Sequence, residues 1–140
     1  MLVTRFFAYA DGLEGYKDRP SEFLFNYVKA MNDRVAQDPE LIAQYRTRFM
    51  STMTFIQQVF PDGFRKTPKG TATPRARFEA IAVGSRQALD QNPTLVAAGV
   101  PAVQPWLSGK EFGAVVGSDG ANAIARLRQR TKYVRDRLLG

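Results

Sequence analysis

Asp38-Pro39-Glu40-Leu41-Ile42-Ala43-Gln44-Tyr45-Arg46-Thr47-Arg48-Phe49-Met50-Ser51-Thr52-Met53-Thr54-Phe55-Ile56-Gln57-Gln58-Val59-Phe60 is the stretch on which the fold class turns. Asp can cap a helix, Pro fits a first helical position that needs no N–H, and Glu favours the positive end of the dipole. Leu41, Ile42, Tyr45, Phe49, Met53, Ile56, Val59 and Phe60 then recur at three- and four-residue steps for five turns, a helical stripe with no strand alternation. Pro61-Asp62-Gly63 ends it.

The same signals recur on both sides. Upstream, Ser21 reads as an N-cap with Glu22 in the first turn, and Phe23, Tyr27, Val28, Met31 and Val35 give a helix over 21–37. Before it, Leu2, Val3, Phe6, Phe7 and Ala10 form a short helix stopped by Asp11-Gly12. Downstream, residues 61–73 hold two Pro, two Gly and three basic residues and read as an exposed loop. Thr73-Pro74 opens a helix with Phe78, Ile81, Ala82 and Leu89 on its buried face, and Asn92-Pro93 opens a short one. Pro101 and Pro105 interrupt the chain, and Glu111, Phe112, Val115 and Val116 support at most three turns to Gly117. Ser118 or Asp119 caps a last helix whose Ile124, Leu127, Thr131, Val134 and Leu138 keep a regular apolar spacing. The expectation is an all-α chain: a single compact bundle of five to seven helices in one domain.

The 140 residues are of ordinary globular composition, 44% apolar and 24% charged. They include no His and no Cys. Zinc sites, thiolate nucleophiles, disulfides, Ser-His-Asp triads and His-dependent nuclease centres are therefore excluded by inventory. No glycine-rich phosphate loop occurs. Carboxylate pairs such as Asp11/Glu14 and Asp38/Glu40 sit at helix ends or in loops, where capping explains them, and Gly84-Ser85 lies mid-helix with no base to activate the hydroxyl. The reading is of a chain without catalytic residues, metal or cofactor. No apolar run is long enough to span a membrane and no cleavage site follows the first residues, so a cytoplasmic location is expected.

Twenty basic against thirteen acidic residues leave a formal charge of +7, and the excess lies wholly in residues 61–140. Two segments are candidates for phosphate contact: the loop and helix start with Arg65, Lys66, Lys69 and Arg75, and the last helix with Arg126, Arg130 and Arg137. For the last helix the competing reading is a terminal helix docked on the core, with arginines at 126, 130 and 137 on one solvated flank and basic residues at 128, 132 and 135 on the other. For the loop, Phe60 and Phe64 either stack a base beside Arg65 and Lys66, or anchor the turn to the core with Arg65 bonded to helix-end carbonyls.

Three stretches also carry a family pattern: Leu2-Val3-Thr4-Arg5-Phe6-Phe7-Ala8; Phe23-Leu24-Phe25-Asn26-Tyr27-Val28; and Phe60-Pro61-Asp62-Gly63-Phe64-Arg65 followed by Ala76-Arg77-Phe78-Glu79-Ala80-Ile81. In this order they resemble the helical second half of the domain of unknown function family 262, the ParB/sulfiredoxin-related domain at the N-terminal side of GmrSD-type modification-dependent restriction enzymes. The resemblance covers residues 2–90, and Arg130 with Tyr133-Val134 extends it toward the end. The family's Asp-Gly-Gln-Gln-Arg signature, in its ParB-like half, has no counterpart here. The resemblance thus implies an isolated helical piece or stand-alone relative, non-enzymatic, packing against a catalytic NTPase or nuclease partner domain or subunit. Arg5, Phe6, Phe7 and Phe64 would be its interface residues, at an exposed apolar patch around Leu2, Phe6 and Phe7. The alternative is a free-standing basic helical protein that binds DNA or RNA through the cations named above.

Overall fold

The computed structural model describes residues 2–140. Among them the secondary structure is entirely helical: α1 (Leu2–Ala10), α2 (Pro20–Gln37), α3 (Leu41–Val59), α4 (Arg75–Gln91), a 3-10 turn (Ala97–Gly99), α5 (Gln104–Leu107), α6 (Lys110–Val115) and α7 (Ile124–Leu139). No helix is long and apolar enough to cross a membrane among the described residues.

Element ends depart from the expectation where a cap is involved. Pro20, not Ser21, is the first residue of α2, with Arg19 as its N-cap. Asp38 closes a local turn, accepting the Glu40 N–H at 3.2 Å, so α3 begins at Leu41 behind it. Asn92-Pro93 opens no α-helix. Asn92 accepts the Leu95 N–H in a single turn, and only the 3-10 turn at Ala97–Gly99 follows, because Gly99 and Pro101 leave too few residues for a nucleus. Neither Ser118 nor Asp119 caps α7. Its first N–H, that of Ile124, donates at 2.8 Å to Asp18 Oδ1 from the α1–α2 loop, where Asp18 holds a left-handed φ of 60°.

The centre of the molecule is α4, buried continuously from Arg77 to Ser85, an all-round burial that its polar residues conceal in sequence. Its most extensive contact is with α7. Gly84 makes that contact close: a Cβ there would lie 2.8 Å from the Thr131 carbonyl oxygen and 2.8 Å from Val134 Cβ. Around this pair Phe6, Phe55, Ile56, Phe60, Phe78, Ile81, Phe112, Val134 and Leu138 form the main core. A smaller cluster joins Tyr9, Tyr16, Leu24, Val83 and Leu127.

Packing is unevenly shared. Only Leu24 is buried among the 18 residues of α2. The buried residues of α3, Thr52, Phe55 and Ile56, all lie in its second half. The far end of α2 and the near end of α3 therefore extend beyond the core, joined at the Asp38–Glu40 turn.

Candidate functional site

Three of the residues expected at a surface site are interior. Arg130 is fully buried: it donates to Glu79 Oε1 at 2.7 Å and to the Ala121 carbonyl at 2.7 Å. Arg5 is buried on the other side of the same carboxylate, donating to Glu79 Oε2 at 2.8 Å and to the Tyr9 hydroxyl at 3.1 Å. The two guanidiniums clamp one carboxylate and tie α1 and α7 to α4. Burial pulls the Arg130 pKa down, opposed by the Glu79 charge and hydrogen bond. Phe6 is fully enclosed, edge-on to Phe7 and Phe49, so Arg5 and Phe6 are not interface residues. Arg130 is sealed in where α4 and α7 approach closely at Gly84, whereas Arg5 and Phe6 are sealed in where α1 packs on α4 and against the Phe49 ring of α3.

The rest of the basic flank of α7 is also committed. Arg126 donates to the Ala114 carbonyl at 2.8 Å and to Gln129 at 3.0 Å. Arg137 lies over the Tyr133 ring at 3.3 Å and faces Glu111 at 3.5 Å. Arg126, Arg130 and Arg137 therefore do not form one free cationic side. On the loop, Phe60 is buried and Phe64 packs on Phe78 at 4.8 Å between ring centres, so the two rings anchor the turn, but Arg65 donates to the Asp62 and Pro68 carbonyls of the loop itself, both at 3.2 Å, and not to helix-end carbonyls. Lys66, Lys69 and Arg75 remain exposed and without an ion-pair partner among the described residues. Arg77 beside them is buried against the Phe112 ring at 5.3 Å; burial lowers its pKa, and the Asp62 charge opposes that.

A crevice of about 490 Å³ borders the α1–α2 loop and holds Asp11, Glu14 and Glu22. Asp11 accepts hydrogen bonds from Tyr27 at 2.6 Å, Tyr45 at 2.8 Å and Arg48 at 2.7 Å. Burial would raise its pKa, but these bonds and the Arg48 charge outweigh that and hold it below the usual carboxylate value. Glu22 faces Arg19 at 3.7 Å, which leaves Glu14 alone. Among the described residues no acidic cluster has the makings of a metal site.

The apolar surface lies elsewhere. Phe25, Val28, Ile42 and Val3 are exposed, Phe25 to 67%. Between α1, α2 and α3 runs a groove of about 330 Å³ walled by Val3, Phe7, Met31, Val35, Leu41, Ile42, Tyr45 and Phe49, with Arg46 at its edge. Phe7, expected at an interface, does line it, half-buried against Tyr45 at 5.3 Å and Phe49 at 6.0 Å. The patch is thus displaced from Phe6 toward the tip of the α2–α3 hairpin. The apolar spacing of α2 signalled a buried face; that the core ends at Leu24 has no signal in sequence.

Comparison with known protein families, curated proteins and solved structures returns no match.

Proposed function

We propose that this chain is a non-enzymatic helical module of a restriction- or phage-defence-type protein, working in the cytoplasm by packing the α1–α2–α3 face against a catalytic NTPase or nuclease domain. One observation carries the reading: an 18-residue helix with a periodic apolar face buries a single residue, Leu24, and leaves Phe25 and Val28 to solvent. Exposed apolar side chains on the α2–α3 hairpin, Phe25, Val28 and Ile42 among them, support a surface covered by a partner, although Val96, away from the hairpin, is equally open. The class of partner comes from the family resemblance.

The test is calorimetric titration of the chain with the ParB-related half of a GmrSD-type domain supplied separately. Saturable binding that Val28→Glu weakens at least tenfold, with unchanged circular dichroism, supports the reading. Absence of binding at 100 µM overturns the partner assignment.

A second reading is favoured by Lys66, Lys69 and Arg75, exposed and unpaired close together in sequence: direct contact with DNA or RNA phosphates. Polarisation of labelled DNA across about 50–200 mM salt separates the two. A triple Lys66→Ala, Lys69→Ala, Arg75→Ala variant would flatten a real salt dependence, and Arg130→Ala would be uninformative because it breaks the core.

A further inference from the structure

Arg77 stands apart from the other interior cations. Arg5 and Arg130 share Glu79, Arg86 pairs with Asp90, and Arg126 donates to the Ala114 carbonyl. Arg77 is 6% exposed, has no ion pair and no side-chain hydrogen bond among the described residues, and its buried Nε has no acceptor. An enclosed guanidinium is costly without an acceptor, and its planar fork is shaped for the paired oxygens of an oxyanion.

The surroundings place that fork. The guanidinium lies over the Phe112 ring at 5.3 Å, and the charge of Asp62 reaches it without forming an ion pair. Asp62 belongs to the turn that packs beside the first turn of α4, through Phe64 on Phe78 at 4.8 Å. Arg77 is thus held at the amino-terminal end of α4, the end toward which the side chains of a helix lean. That end is open: no side chain caps it, and the first helical bond runs from the Phe78 N–H to the Pro74 carbonyl. The N–H groups of Arg75, Ala76 and Arg77 are therefore free of helical acceptors, at the positive end of a 17-residue helix.

The local charge agrees. Among the acids on the packed elements, Glu79 is held by Arg5 and Arg130 and Glu111 faces Arg137, which leaves Asp62 alone. Arg77 and the exposed Arg75, Lys66 and Lys69 outweigh it.

We propose that the amino-terminal end of α4 is a phosphate-binding site, in which the Arg77 fork and the free amides of the first turn hold one phosphate group that Arg75, Lys66 and Lys69 attract. Where the phosphate belongs to a nucleic acid, this rests on the second reading above and names the residue that grips it; a phosphorylated small molecule would use the same donors.

The experiment titrates inorganic phosphate into the full ¹⁵N-labelled chain at about 0.15 M sodium chloride, where attraction between exposed charges is screened. The Arg77 Nε–H signal and the amides of Arg75, Ala76 and Arg77 should move together and saturate. Arg77→Met, which removes an unpaired interior cation, should keep the fold and weaken binding at least tenfold. If that variant does not fold, the Nε–H signal of the unaltered chain decides. An unmoved Nε–H signal, shifts at Lys66 and Lys69 that never saturate, or undiminished binding by folded Arg77→Met would overturn the proposal. The labelled DNA described above, tested on Arg77→Met, separates the sources. Weakened DNA binding supports a nucleic-acid phosphate at this site. Saturable phosphate binding without DNA binding supports the site with a small phosphorylated ligand and sinks the nucleic-acid reading alone. DNA binding that the triple variant loses and Arg77→Met retains, with the Nε–H signal unmoved by phosphate, overturns the site and leaves that reading standing.

Discussion

Replacing Glu79 by alanine should cost this protein a large part of its stability. Among the described residues Glu79 is the only acid paired with Arg5 and Arg130, and all three side chains are nearly or wholly inaccessible. Removing the carboxylate leaves two guanidiniums buried without their counter-charge, and Arg5 and Arg130 already have Nε atoms without a partner. Breaking a buried ionic set on one side costs about 3–5 kcal/mol. For 140 residues the unfolding entropy is about 0.3 kcal/mol per degree, so the midpoint should fall by about 10–17 °C. Differential scanning calorimetry or thermal circular dichroism reads this directly. The companion variant replaces the whole set, Arg5→Met, Glu79→Leu and Arg130→Met together. Exchange of a complete buried set for apolar residues of similar volume is often neutral or better, so the triple variant should melt above Glu79→Ala. A Glu79→Ala shift of under about 3 °C, or a triple variant no more stable than the single one, would refute the claim that Glu79 holds two buried cations.

Three further outcomes follow from the packing. Gly84→Ala places a methyl group 2.8 Å from a backbone oxygen, so α4 and α7 must separate; urea unfolding should show a loss of about 1–3 kcal/mol, although alanine is the better helix former. Asp18→Ala removes the acceptor for the Ile124 N–H and leaves a Cβ residue at φ 60°, for a loss of about 1–2 kcal/mol and faster amide exchange in the first turn of α7. Asp11 has a folded pKa below its ordinary value, so its contribution is present above the unfolded pKa near 3.9 and is lost as pH falls through the lower folded value. Acid unfolding followed by tyrosine fluorescence should steepen below about pH 4, and Asp11→Asn should reduce that dependence while lowering stability at pH 7.

The helices were legible because each carries its own evidence. The Leu41–Phe60 stripe needs no partner to be recognised, and Asp11-Gly12 and Pro61-Asp62-Gly63 mark ends that the backbone confirms. Caps were less legible. Serine and aspartate before a helix are strong local signals, yet α7 takes its acceptor from Asp18, 106 positions away. The arginines were least legible of all. On a helical projection Arg126, Arg130 and Arg137 share a flank, but Arg130 meets a carboxylate of α4, Arg126 a carbonyl of α6 and Arg137 a tyrosine ring one turn back on α7 itself.

By itself the sequence determined the helical class, the approximate bounds of the longer helices, and the absence of any chemistry that needs histidine or cysteine. Those are properties of local periodicity and inventory, and each can be read within a turn or two of chain. Which charges are surface and which are core, and which apolar face has no cover, were decided only by the tertiary structure. Burial is a property of what lies opposite: Arg130 is interior because Glu79 waits for it across the α4–α7 contact, and Val35 and Ile42 face an open groove because the core stops short of the hairpin tip.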